Sequence, residues 1–270
     1  MERSKTFAVG FPRDENGWIL FPKDSQDRKS LFFPEEVSRH PAKMNFHLQQ
    51  AIIEYVAKEG DVLLDPMAGT GTLMIAALQG MRVILIELEE GYHKLQLQAR
   101  EELGKQVPGA DNLVTLLHND CRLVLPIPCN HIITSPPYSS ALHQRTIRRG
   151  DKDDDFVKMD KMINEYSKHP RNIGALNDFL YNMEMAKVYK LYYRSLPIGG
   201  SLTIVLKDRM KDQERVSLTG WADKTCRAVG FKLELWEKWK PPGIQFTAIN
   251  RMHGFEVIED ESIMIYRRVK

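Results

Sequence analysis

The stretch Asp61-Val62-Leu63-Leu64-Asp65-Pro66-Met67-Ala68-Gly69-Thr70-Gly71-Thr72 settles what kind of fold this is. A short apolar run ends in an acid, a proline and two glycines follow, and Leu73 to Leu78 continues as an apolar helix, so the stretch reads as strand, glycine-rich turn, helix. Such a unit belongs to a parallel α/β layer. Lacking a Cβ, Gly69 and Gly71 let the backbone come close to a small ligand at the strand's carboxyl edge, although a tight turn without a ligand is the plainer alternative. Two phosphate-binding readings fail on residue identity. A Walker loop needs Lys and then Ser or Thr after its last glycine, where Thr72 and Leu73 stand, and a dinucleotide fingerprint needs a third glycine where Met74 stands.

Working outward, Met81 to Ile86 reads as a second strand ending in Glu87, at the distance from the glycine turn where an acid accepts from ribose hydroxyls. A helix over Glu90 to Leu103 follows, the loop Val107-Pro108-Gly109 breaks it, and Leu113 to Leu117 forms a third strand leading to Asp120. Asp65, Glu87 and Asp120 thus end three successive strands, which in a parallel sheet places them along one edge. Each alone could equally be a helix cap or a solvated acid. Upstream, Phe46, Leu48, Ile52, Ile53, Val56 and Ala57 recur at helical spacing after His40-Pro41-Ala42-Lys43-Met44. Residues 1–39 carry Phe11-Pro12, Phe21-Pro22 and Phe33-Pro34, a density of proline that argues for an irregular arm packed through its aromatics.

Downstream, His131-Ile132-Ile133-Thr134 is a buried-type strand running into Ser135-Pro136-Pro137-Tyr138. Each proline fixes its own φ and keeps the preceding residue extended, so the turn is stiff. It offers carbonyl acceptors, the Ser135 hydroxyl and the Tyr138 ring, a set suited to a flat group carrying an N–H₂. The alternative is a turn that merely ends a strand. Residues 139–177 are the least legible part, read as a mobile or substrate-recognition insertion in which Arg145, Arg148 and Arg149 are candidate phosphate contacts. A helix over Leu176 to Leu196, a strand Leu202 to Leu206, a helix Leu218 to Val229 and strands Phe231 to Trp239 and Ile263 to Tyr266 complete seven strands. Alternation puts Phe231, Leu233 and Leu235 on one face of their strand and Trp236 on the other, among charges.

The 270 residues carry 38 Lys and Arg against 36 Asp and Glu, a net charge of +2 that does not by itself demand a polyanionic partner. Cys121, Cys129 and Cys226 have no C-x-x-C spacing and the histidines no ligand spacing, so neither a disulfide framework nor a metal site is expected. No signal peptide or membrane span is read, and a cytoplasmic location is expected.

The ordered series His40 to Met44, Asp65 to Thr72, Glu87, Asp120 and Ser135-Pro136-Pro137-Tyr138 resembles the motifs of the S-adenosylmethionine-dependent amino-methyltransferases that modify DNA, over roughly residues 31–270. The resemblance implies a doubly wound, mostly parallel seven-stranded α/β sheet of the Rossmann-like class I type, spanning 40–270 behind the arm. It implies S-adenosylmethionine as cofactor, with Ala42, Lys43, Met44, Asp65, Met67, Gly69, Gly71 and Thr72 around its methionine part. Glu87 would hold its ribose and Asp120 would lie by its adenine. Ser135, Pro136, Pro137 and Tyr138 would form the reacting site, and no metal is implied. Members with Ser first in that motif are mostly cytosine-N4 enzymes and those with Asp mostly adenine-N6 enzymes. Cytosine N4 in DNA is therefore the favoured target, with adenine N6 in DNA, cytosine N4 in structured RNA, or a silent nucleic-acid-binding module as alternatives.

Overall fold

The structure is a computed structural model, and it describes residues 6–39, 43–137, 169–211, 214–242 and 257–270. The strands are β1 (Val62–Asp65), β2 (Arg82–Glu87), β3 (Val114–His118), β4 (His131–Thr134), β5 (Ser201–Leu206), β6 (Arg209–Lys211), β7 (Glu214–Val216), β8 (Phe231–Trp239) and β9 (Glu261–Arg268). Seven of them form one sheet in the order β3-β2-β1-β4-β5-β9-β8. β1 to β5 run parallel, and β9 is antiparallel to both of its neighbours. The chain winds from β1 out to β3, then returns to β4 on β1's other side. The crevice at that reversal, outside the carboxyl ends of β1 and β4, is where such sheets bind ligands.

Helices cover both faces, which is why β4 and β5 are buried along their whole length. One face carries α3 (Phe46–Val56), α4 (Glu90–Gln106) and the 3-10 helix Thr72–Gln79, joined in one apolar cluster with Leu63, Val83 and Leu85. The other carries α6 (Asp178–Ser195) and α7 (Leu218–Val229), packed on Leu64, Ile132, Leu202 and Met264. Local chemistry sets the helix starts: the side chains of Asn45, Asn177 and Ser217 accept from Leu48, Leu180 and Gly220 N–H and satisfy otherwise orphaned donors. At the sheet's amino edge buried His131 ties three segments, with Nδ1 2.8 Å from Ser201 Oγ and Nε2 3.3 Å from Asp61 Oδ2. Ser201 is fully buried there, so this serine–histidine–aspartate set braces strands and offers no exposed nucleophile.

The arm contains two five-residue helices, α1 (Ser25–Lys29) and α2 (Glu35–Arg39). Phe7, Phe21, Phe32 and Phe33 are buried against the α3 face. Phe21 meets Trp239 edge-on at 5.8 Å, and Ile19 N–H donates to Lys238 O at 2.9 Å while Lys240 N–H donates to Ile19 O at 3.0 Å. Arg28 is buried, its Nε donating to Asp24 Oδ2 at 2.6 Å and its Nη2 to Met44 O.

Three local expectations change. The helix after the glycine turn is 3-10 in type; it is wedged between the left-handed residues Gly71 and Gly80, with Thr72 to Ala77 all buried, and a short crowded segment favours the tighter turn. The β6–β7 hairpin was not expected. In β8 the register shifts between Leu233 and Leu235, so Phe231 and Leu233 pack on the α6–α7 side while Leu235 and Trp239 pack on the arm side. An extra residue in one strand reverses the alternation beyond it.

Candidate functional site

β1 ends in a turn whose shape is imposed by glycine. Gly69 and Gly71 have φ of +51° and +77°, a region that residues with a Cβ rarely adopt. At Gly71 a Cβ would also fall 2.9 Å from Gln96 Cγ and 3.2 Å from Leu85 Cδ1. The turn is held from outside: Gln96 Nε2 donates to Gly69 O at 2.7 Å, and Ala68 N–H to Ile86 O at 3.0 Å.

Glu87, the last residue of β2, closes that turn. Its Oε2 accepts from Gly69 N–H at 2.6 Å and its Oε1 from Glu89 N–H at 2.7 Å. Each carboxylate oxygen has a second lone pair, so Glu87 can still accept from a ligand. Burial pushes its pKa up to about 7, against the pull of the backbone donors. Asp65 is raised to about 7 by burial too, although Met67 N–H donates to its Oδ1 at 3.1 Å. Two carboxyl groups whose ionisation is suppressed by desolvation therefore sit at the ends of adjacent strands, an arrangement that a positive ligand would relieve.

Beyond β3, Asp120 both caps the short helix α5 (Cys121–Val124) and lines the cleft. Its Oδ1 accepts from Arg122 N–H and Nε, each at 3.0 Å, and its Oδ2 from Nη2 at 2.7 Å. Burial alone would raise the Asp120 pKa, but the Arg122 guanidinium and backbone donor outweigh it and hold the group below the usual range. Arg122 reaches further, donating from Nη1 to Glu184 Oε2 and from Nη2 to Arg171 O, both at 2.7 Å. Cys121 also faces the cleft, and burial pushes its thiol up to about 12, so it holds no ready thiolate.

Glu87, Asp120 and Cys121 share one cleft of about 440 Å³ of empty space, open to solvent, whereas Asp65, Gly69 and Gly71 are absent from its lining. Pro66, Met67, Glu87, Leu88 and Asp120 form one wall, and Pro137 joins them from the turn after β4. Arg171, Asn172 and Ile173 lie on it as well. They belong to a stretch the sequence assigned to an insertion, and no local pattern marks them as cleft residues. Ser135 and Pro136 connect Pro137 to Thr134, the last residue of β4, and Pro136 is buried. Thr72 is buried at the start of the 3-10 helix. Lys43 and Met44 precede α3 and are absent from the cleft's lining; burial, then the nearby Arg28, lowers the Lys43 pKa. Ala42, Tyr138, Arg145, Arg148 and Arg149 lie outside the described residues. Among the described residues no group of side chains is arranged to hold a metal, and no helix is long and apolar enough to cross a membrane.

Residues 13–99 match the family described as DNA methylase, N6/N4 type. No curated relative matches the chain by sequence. Among solved structures, TrmN from Thermus thermophilus is similar at 15% identity and a TM-score of 0.48, over 86% of this chain and 52% of that one, so the chain spans about half its length. The precorrin-8w decarboxylase of Methanobacterium thermoautotrophicum aligns at 15% identity over 92% of this chain and 100% of that one, with a TM-score of 0.52. The [4+2]-cyclase SpnF aligns at 14% identity over 86% and 84%, with a TM-score of 0.53. Likeness at this level is a likeness of fold, and a decarboxylase and a cyclase among the neighbours show how little the fold fixes the reaction. The methylase match ends at residue 99 but takes in β1, the glycine turn and Glu87, and on this mostly parallel seven-stranded sheet it supports reading the chain as an S-adenosylmethionine-dependent methyltransferase.

Proposed function

We propose that this methyltransferase acts on an exocyclic amine of a nucleobase, with cytosine N4 in DNA as the preferred target. The observation that carries the reading is the shared cleft: Pro137, from the Ser135-Pro136-Pro137 turn, lines it together with Glu87 and Asp120. S-adenosylmethionine, when bound, supplies an electrophilic methyl on a sulfonium. The donor set fits that cofactor, since the desolvated Asp65 and Glu87 carboxyls favour a cation and the Gly69–Gly71 turn admits close backbone approach. Glu87 would accept from the ribose hydroxyls, Met67 would flank the methionine part, and Asp120 would border the adenine. Ser135 Oγ and the Pro136 carbonyl accept from the two hydrogens of the target amine and bend it toward tetrahedral geometry. Tyr138 stacks on a base taken out of its helix. Arg145, Arg148 and Arg149 grip phosphates. The reaction needs no protein nucleophile, in keeping with the raised Cys121 thiol.

The test is to incubate the protein and labelled cofactor separately with duplex DNA, single-stranded DNA and ribosomal RNA, and to identify the modified nucleoside by mass spectrometry. N4-methylcytosine from DNA is expected. Its ribose counterpart from RNA would move the target to RNA, and no labelled nucleoside from any of the three would sink the reading.

Glu87→Ala tests the cofactor end alone. Losing hydrogen bonds to this acceptor should weaken S-adenosylmethionine binding by roughly 1.5–3 kcal/mol, about tenfold to a hundredfold in affinity. Calorimetric titration with unchanged affinity would remove Glu87 from the ribose role.

A further inference from the structure

Arg171, Asn172 and Ile173 line the cleft, and residues 169–175 are fastened at Glu89, which accepts from the His169 backbone and from Asn172, and at Arg122. Asn172, itself buried, donates from Nδ2 to Glu89 Oε1 at 3.3 Å while its Oδ1 accepts from Gly174 N–H at 2.8 Å. The second fastening is Arg122, whose Nη2 donates to Arg171 O at 2.7 Å. The same guanidinium holds both oxygens of Asp120 and reaches Glu184 on α6. One side chain thus joins the end of β3, the 169–175 segment and α6, and Ile173 of that segment is buried and lines the cleft. A planar fork of donors can serve three acceptors in fixed directions, which the point charge of a lysine does not do.

We propose that Arg122 is the positioning residue that fastens residues 169–175 over the adenosyl end of the cofactor cleft and so sets how long the cofactor stays. The proposal rests on the cofactor reading above. The adenosyl end is assigned by strand order. The reacting turn follows β4 and the glycine turn follows β1, so a ligand running from one to the other and on to Glu87 brings its far end to Asp120, the group Arg122 holds. With the fastening cut, residues 169–175 no longer cover that end and release quickens, while entry changes little.

Stopped-flow measurement of S-adenosylhomocysteine binding tests this in wild type, Arg122→Lys and Asn172→Ala. The second variant weakens the fastening at Glu89 without touching the α5 cap, so the test survives if Arg122→Lys is poorly folded. Both variants should release the ligand about tenfold faster with an association rate within about twofold of wild type. 5′-Methylthioadenosine, which keeps the adenosyl end and lacks the amino-acid end, should lose affinity by the same factor. Amide exchange at Gly174 should slow on ligand binding in wild type and not in Arg122→Lys. Unchanged release rates in both variants would overturn the proposal, as would a loss confined to S-adenosylhomocysteine, which would put the contact at the other end. Wild type that takes up neither ligand would instead overturn the cofactor reading itself.

Discussion

Replacing Ser135 by alanine is expected to reduce methyl transfer by about a hundredfold while leaving cofactor affinity within about twofold. An amine conjugated to a base is flat and a poor nucleophile, and an acceptor that meets its hydrogens only as it bends acts mainly in the transition state. The acceptor must also be fixed in advance. Ser135 leaves β4, a strand buried along its length, and precedes the buried Pro136, so both of its neighbours are immobilised. Single-turnover rates alongside calorimetric cofactor titration separate the two effects. Full activity in the alanine variant would remove Ser135 from the reaction, and N6-methyladenine as the sole product would overturn the cytosine assignment while sparing the methyltransferase one.

Asp65→Asn should make the ligand-free protein more stable at pH 8 and impair cofactor binding at the same time. Burial raises the Asp65 pKa from 3.8 to about 7, so the folded state holds this proton more tightly than the unfolded chain does. The stabilisation from the bound proton is complete below the unfolded value and is lost as pH rises through the folded one. By pH 8 that loss approaches about 4 kcal/mol. Asparagine cannot ionise, and its carbonyl can still accept from Met67 N–H. The variant's advantage in urea midpoint should therefore grow between pH 4 and pH 8. An advantage that stays constant across this range would show that Asp65 is ionised in the native protein throughout. A variant that is more stable and binds cofactor less well would mark Asp65 as a group kept for its task.

The parts of the site that were readable from the chain are those fixed by local covalent chemistry. Gly69 and Gly71 mark a backbone that only glycine follows, and Glu87 and Asp120 fall just after apolar runs whose length ends a strand. Ser135-Pro136-Pro137 is stiff whatever surrounds it. Arg122 escaped because its meaning lies in Glu184 and Arg171 O, far along the chain, although an arginine two residues after a helix-capping aspartate was a local hint. Asn172 and Ile173 escaped for the same reason, sitting in a stretch without periodicity. The β6–β7 hairpin pairs Arg209-Met210-Lys211 with Glu214-Arg215-Val216, where charge dilutes any alternation. The β8 irregularity is invisible to a period-two reading, since Leu233 and Leu235 look alike until one is displaced. The 3-10 form of Thr72–Gln79 follows from crowding between two glycine turns, which apolar content alone does not report.

β8 ends the sheet, and a bare terminal strand exposes a ladder of free amide and carbonyl groups on which another polypeptide can dock. Here the last part of that ladder is already occupied: Ile19 exchanges hydrogen bonds with Lys238 and Lys240, and Arg13 pairs with Glu237 at 2.8 Å. The register shift between Leu233 and Leu235 twists the remainder away from a flat template. The aromatic arm thereby acts as a selvedge, guarding the fabric of the sheet against fraying and against lateral growth into fibres.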